Sequence, residues 1–395
     1  MVRCSSEGYF SESCVVDGDV RVKGTSLSVT LVVPTNNRSE RHEWRIRPYA
    51  QRSVHNIRKV TVTQLPQDPS AAAPPCTVTY TVPAVLFAIG GHSGRNYFHD
   101  FADVLVPLFV ASRRYAGEVQ FLVSNIVQPQ WLDKYKTLLH HLSKYELVHL
   151  DGDAHVRCFP RVTVGLHIHK LFSIVPESST PGVGSRLTMP DFTHFLREAY
   201  ALPRHAAAVN LAREPDKKKK KKKPRLLLIR REQYRRLVNE EEITRAAEAA
   251  GFEAVVMEQR GDAPVSEQAR AVNSFDAMVG VHGAALTNAA FLPPGAVLVQ
   301  VVPYGKMESI AASEFGEPAT DMGLMYLEYS VAVEESTLLE MLGPEHPAIR
   351  DPDSVHRDGW EKVDEFYLRK QDLRINVTRF APTLARAFHH LRQQH

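Results

Sequence analysis

Short runs rich in β-branched residues, broken by Pro, Asn and Gly, open the chain, and residues 27–33, 42–47 and 59–65 read as strands. A loop of small residues and proline follows at 67–75. From residue 76 the pattern changes: apolar runs at 84–89, 119–123 and 147–150 alternate with stretches at 96–114 and 131–142 whose apolar positions recur every three or four residues. That alternation predicts strands and amphipathic helices of a parallel α/β sheet. A further helix is expected near 191–200. After Pro224 the alternation resumes, with strands at 225–229, 254–257, 277–281 and 297–302, helices from Asn239 to Gly251 and at 266–275, and a short helix ending at Leu292. Asn239 with Glu242 three residues on is a capping-box pattern. The expected fold is α/β with two Rossmann-like halves facing a central cleft: residues 1–202 including the β-rich start, a linker at 203–224, and residues 225–395. In such sheets ligands collect at strand C-termini, where loops and helix N-termini converge.

A chain of 395 residues has room for two domains of ordinary size. Its formal charge of +3 comes from one place: without Lys217 to Lys223 the 48 basic residues become 41, against 45 acidic. The rest of the chain is therefore not a nucleic-acid-binding surface, and the lysine run reads as a solvated loop. No apolar stretch approaches the roughly 18–20 residues that span a bilayer, and Met1 to Ser5 hold no apolar signal core. Four separated cysteines, Cys4, Cys14, Cys76 and Cys158, permit disulfides but contain no Cys-x-x-Cys pair. Sequons occur at Asn37 and Asn376.

The most informative segment is Asp276 to Asn288. A buried strand runs into small residues that open a helix, so backbone N–H groups point at whatever sits there, and a diphosphate fits. Gly283, Ala284 and Ala285 permit close approach; Thr287 supplies a hydroxyl, His282 a ring N–H, and Asn288 fixes the turn. Taken alone, the same segment also reads as a tight connection with a satisfied histidine. In the first half, Phe98, Phe101, Leu105 and Leu108 form an apolar stripe, and Asn96, His99 and Asp103 a separate polar face directly after a glycine turn. As an ordinary helix surface, His99 and Asp103 would be a simple ion pair and Asp100 a first-turn charge.

His282-Gly283-Ala284-x-Leu286-Thr287-Asn288, together with the run Gly90-Gly91-His92-Ser93-Gly94-Arg95-Asn96-Tyr97-Phe98-His99-Asp100-Phe101-Ala102-Asp103, resembles glycosyltransferase family 61. The likeness is greatest to grass members that decorate xylan with arabinofuranosyl or xylosyl groups. It runs from about Cys14 to the C-terminus and takes in Asp151 to His155 and Phe315 to Gly323. The resemblance implies a GT-B fold, inversion at the anomeric carbon, a UDP-arabinofuranose or UDP-xylose donor, a xylan acceptor, no cofactor or obligatory metal, and a Golgi-lumenal type II membrane protein. The anchor such proteins carry is not in this sequence. Ala285 stands where the family usually has glycine, which keeps open a catalytically inactive carbohydrate- or nucleotide-sugar-binding protein of the same fold.

An inverting transferase needs one general base for the acceptor hydroxyl. Asp103 is the first choice, with His99 orienting or replacing it, and His92, Arg95 and Asn96 are expected on the acceptor side. Arg230 and Arg231, followed by Arg235 and Arg236, are candidates to neutralise the leaving diphosphate. Lys306 is a parallel candidate, and Glu308 one for ribose hydroxyls. Asp17-Gly18-Asp19 and Asp151-Gly152-Asp153 raise a metal-dependent alternative, although such triplets are also frequent in turns. His167-x-His169, read as part of a strand, is either an exposed face or a zinc pair.

Overall fold

The computed structural model describes residues 1–5, 11–33, 42–66, 73–176, 187–207, 222–258 and 263–393. The chain is mixed α/β with two sheets and divides into the units Met1–Phe192 and Thr193–His395. Asn37 and Lys217 to Lys221 lie outside the described residues.

The first unit holds β1 (Val2–Ser5), β2 (Ser13–Lys23), β3 (Ser28–Val33), β4 (His42–Ile46), β5 (Val60–Pro66), β6 (Val78–Thr79), β7 (Ala84–Ala88), β8 (Gln120–Ser124), β9 (Val148–His149) and β10 (Val156–Val164). The order is β4-β5-β3-β2-β10-β7-β8-β9, with β1 on β2 and β6 on β10. This is one mixed sheet that takes in the β-rich start, where the alternation from residue 76 predicts a parallel one. The join is β10, antiparallel to β2 from Val156↔Lys23 to Val164↔Cys14 and parallel to β7. Pro160 lacks the N–H a ladder needs and sits at the register shift between Phe159 and Arg161. Val16, Val20, Val29, Leu31, Leu86, Leu122 and Val162 alternate inward along these strands into one core. Disulfide Cys4–Cys14 joins register partners on β1 and β2, and Cys76–Cys158 ties the approach to β6 onto β10. The latter spans 82 residues, a loop for which the chain-entropy estimate is about 4–5 kcal/mol.

The second unit follows its sequence pattern more closely. β11 (Arg225–Arg230), β12 (Glu253–Glu258), β13 (Ala277–Val281), β14 (Val297–Val302) and β15 (Met325–Ser330) form an all-parallel sheet in the order β12-β11-β13-β14-β15. β13 and β14 are buried along their whole length, which is why they read as continuous apolar runs. The strand order reverses between β11 and β13, and in doubly wound sheets ligands bind beyond the strand C-termini at that switch point. Residues expected in the linker dock on this unit: the Arg204 N–H donates to Asn273, and its guanidinium pairs with Asp276. The capping box at Asn239 does not form. Its amide donates to Glu242 and to the Ile375 carbonyl, while its oxygen accepts from the Ile375 N–H, so a tertiary contact displaces the local one. Among the described residues no helix is long and apolar enough to cross a membrane.

Candidate functional site

β11 and β13 deliver two loops to one point. After Val281, His282 is buried at 3% exposure and Gly283 takes φ +144°. Gly283 is required by its backbone conformation, and a Cβ there would lie 2.8 Å from Arg231 Nη1 and 3.4 Å from Arg235 Nη1, which places both guanidiniums against the turn. The following helix, Ala284–Phe291, is 3₁₀ throughout; its first bond runs from the Leu286 N–H to the Gly283 carbonyl, leaving the Ala284 and Ala285 N–H groups ahead of the ladder. The Asn288 amide donates to the Ala285 carbonyl at 3.1 Å. Thr287 is fully buried, and its hydroxyl has no hydrogen-bond partner among the described residues.

Arg231 and Arg235 are half-buried, and burial pushes both guanidinium pKa values down, that of Arg235 to about 9 with the charge of Arg231 adding to the effect. Arg231 donates to the Tyr234 carbonyl at 3.0 Å and Arg235 to the His282 carbonyl at 2.8 Å. Among the described residues neither forms an ion pair; Asp364 and Glu314 act on Arg235 only from a distance, and its buried Nε has no partner. Tyr234 and Arg235 both adopt left-handed backbone, at φ 52° and 55°, a cost of about 1 kcal/mol or more each that turns Arg235 inward. Arg230 is elsewhere, exposed and paired with Glu240 at 2.7 Å, and Arg236 pairs with Asp372 at 2.6 Å. Of the four candidate arginines, Arg231 and Arg235 lie against the Gly283 turn, and Arg230 and Arg236 are held in ion pairs elsewhere. Lys306 is exposed and bound to Asp353; Glu308 is exposed in the first turn of Glu308–Ala311.

The His282 ring does not reach outward as expected. Its Nδ1 accepts from the Gln300 amide at 2.9 Å, the Gln300 oxygen accepts from the Tyr326 hydroxyl at 2.9 Å, and Nε2 lies 3.7 Å from a Glu314 oxygen. Burial, then Arg235 and Arg231, push its pKa down to about 3, so the imidazole is neutral. What His282 offers the turn is its carbonyl.

In the first unit the turn after β7 leads into an α-turn Tyr97–His99, a π-helical segment Asp100–Leu105 and an α-helix Val106–Ser112. Gly91, at φ +59°, leaves room where a Cβ would meet Val54 at 2.8 Å and the Tyr49 ring at 3.3 Å. Asp103 is fully buried and accepts from the Tyr49 hydroxyl at 2.7 Å, the Gln51 amide at 2.8 Å and His99 Nδ1 at 3.0 Å. Burial and then Asp103 raise the Tyr49 pKa, which keeps the phenol a donor. A carboxylate only accepts, so the hydrogen of this contact sits on His99 Nδ1. The His99 side chain is 21% exposed, and the His92 ring stands 4.7 Å away, its pKa lowered by burial and by His99. Arg95 is exposed, and the Asn96 oxygen caps the helix by accepting from the Phe98 N–H at 3.0 Å. Asp100 is a buried node rather than a first-turn charge, accepting from the Gly94 N–H, Trp131 and Tyr135.

The other candidates are committed elsewhere. Asp17 pairs with Arg3 and Arg161, Asp19 with Arg21, Asp151 with Arg58 and Asp153 with Arg157. Asp19 also lies beside Cys76 and Cys158, whose sulfurs are bonded to each other. His167 and His169 are not on a strand but follow it past Gly165, their Nε2 atoms 3.0 Å apart. Asn376 is exposed and caps the last helix, its oxygen accepting from the Thr378 and Arg379 N–H groups.

Residues 97–299 match the family described as Glycosyltransferase 61. The chain is 42% identical over 410 residues to the beta-1,2-xylosyltransferase XYXT1 of Oryza sativa subsp. japonica, covering 99% of this chain and 84% of that protein. It is 39% identical to the alpha-1,3-arabinosyltransferase XAT3 of the same plant, covering 98% of this chain and 65% of that one. It is 31% identical to the xylan glycosyltransferase MUCI21 of Arabidopsis thaliana, covering 98% of this chain and 79% of that protein. Among solved structures, the iron-containing heptosyltransferase TibC is similar over 78% of this chain and 79% of its own, at 8% identity and a TM-score of 0.30, too distant to carry over any feature. The motifs at the two turns and the length of these matches agree: the chain belongs to the glycosyltransferase 61 family.

Proposed function

We propose that the chain transfers a pentose, xylose or arabinofuranose, from a UDP-sugar to xylan, with inversion at the anomeric carbon. One observation carries the donor half of this reading: two half-buried guanidiniums, without a carboxylate partner among the described residues, converge on the Gly283 turn at the sheet's switch point. A diphosphate there takes charge-assisted hydrogen bonds from Arg231 and Arg235, worth about 1.5–3 kcal/mol each, together with the Ala284 and Ala285 N–H groups and the orphaned Thr287 hydroxyl. The same charges stabilise UDP as it leaves, the work a divalent metal does in other transferases. The relatives' names supply the sugar and the acceptor.

The base in this reading is His99, with Asp103 as its positioning residue, which reverses the order of preference drawn from the sequence. As the acceptor oxygen bonds to the pentose C1, its proton passes to His99 Nε2 and the C1–O electron pair leaves with the diphosphate. Buried Asp103 holds the tautomer and stabilises the imidazolium that forms. Two disulfides suit an oxidising compartment, in keeping with a Golgi-lumenal enzyme. Incubation with UDP-xylose or UDP-arabinofuranose and xylan oligosaccharides is expected to release UDP and form a new pentosyl linkage. UDP binding without transfer would instead mark an inactive binding protein, and neither binding nor transfer would sink the donor site.

A further inference from the structure

The buried polar chain behind the Gly283 turn has a direction. Gln300 is fully buried on β14, and its amide joins the Tyr326 hydroxyl to His282 Nδ1. The π-helical segment Ala312–Gly316 closes the circuit at three points. Glu314 faces His282 Nε2, the Phe315 ring meets the imidazole edge-on at 5.6 Å, and Gly316 lets the Tyr326 ring lie where a Cβ would be 2.8 Å away. Such π-turns recur at functional sites.

We infer that Gln300 and Tyr326 are positioning residues for the donor site. Their hydrogen-bond polarity fixes His282 as the Nε2–H tautomer, which turns a ring N–H, not a lone pair, toward the Glu314 carboxylate 3.7 Å away and leaves the Arg235 charge for the diphosphate. Reversing the amide would put the His282 proton on Nδ1 and leave a bare Nε2 lone pair facing a carboxylate 3.7 Å away, two acceptors in opposition. It would also leave the Tyr326 proton only the more distant Glu328 oxygen, at 3.3 Å. A protonated His282 would be a third cation beside Arg231 and Arg235, and its burial opposes that charge. The groups that bear on the ring are Glu314 from the π-turn, Arg231 and Arg235 from the loop after β11, and, through Gln300, Tyr326 and Glu328 of β15.

The inference rests on the donor reading of the Gly283 turn, and its test separates the two. In the full chain labelled with ¹⁵N-histidine, the His282 ring, assigned by its loss in His282→Asn, is expected to show a bare Nδ1 and a protonated Nε2 from pH 5 to 8. Gln300→Glu offers an acceptor where the wild type has a donor. It is expected to move the proton to Nδ1, bring the ring's titration into that pH range, and weaken UDP binding and raise the donor KM about tenfold, with kcat changed less. Gln300→Leu removes the donor without adding charge and is expected to weaken UDP binding less. A wild-type ring protonated on Nδ1 overturns the inference, as does a Gln300→Glu protein with unchanged tautomer and UDP affinity. If wild type binds no UDP, the donor reading fails and the functional half of this inference with it, while the ring spectrum still reports the tautomer independently.

Discussion

The two glycine turns, one in each unit, lead to polar centres of opposite character. At 90–103 a carboxylate, Asp103, is enclosed and saturated by three donors, and what it leaves exposed is one edge of His99. At 282–288 the charges are guanidiniums, half-buried and, among the described residues, without a counter-charge in contact, beside a hydroxyl that has no partner among them. A saturated buried network holds a side chain in place; an unsaturated one is costly until a ligand completes it. The first arrangement suits orientation of a base, the second capture of an anion.

The largest test of this contrast is at His99. His99→Ala is expected to lower kcat about 10²–10⁴-fold in a UDP-release assay, while calorimetry shows UDP affinity retained. Comparable loss of UDP binding would erase the distinction between the turns. Asp103→Asn should fall in the same class, with kcat affected and UDP affinity spared. Next come Arg231→Ala and Arg235→Ala, each expected to weaken UDP binding roughly 10–100-fold, as the loss of one charge-assisted bond requires.

A smaller effect concerns pH. His282 stays neutral in the folded protein down to about 3, whereas an unfolded histidine takes its proton at about 6.5. This contribution to stability is therefore complete above pH 6.5 and drains as pH falls, by up to about 1.4 kcal/mol per unit. Thermal unfolding between pH 7 and 5 is expected to show that slope and to lose part of it in His282→Asn. The smallest expected changes are at Arg230 and Arg236, whose exposed ion pairs are worth about 0–1 kcal/mol. Alanine at either should leave UDP affinity within about twofold, and a larger drop would blur the assignment of Arg231 and Arg235.

Legibility differed between the units for physical reasons. β13, its turn and β14 read directly because strands buried on both faces leave long apolar runs, and Gly283 is needed where it stands. Arg231 and Arg235 are both candidates by sequence, but that Arg235 and not Arg230 lies against the Gly283 turn depends on left-handed backbone at Tyr234 and Arg235, which neither residue type announces. In the first unit His99 and Asp103 are four residues apart and readable as a pair. Tyr49 and Gln51 reach Asp103 from more than fifty residues upstream with no local signal. β10 was missed because Pro160 breaks its run, and the capping box at Asn239 lost to a contact 136 residues away. Local periodicity records burial well; it does not record which distant segment completes a hydrogen bond.

The double pairing of β10 also orders the birth of the first unit in time. On a ribosome adding roughly 5–20 residues per second, β2 leaves the exit about seven to thirty seconds before β10 can join it. For that interval one edge of β2 is open to other chains, and Cys76 waits for the partner that β10 carries. Maturation of this unit thus depends on keeping a nascent strand edge shielded until about residue 164 has been translated.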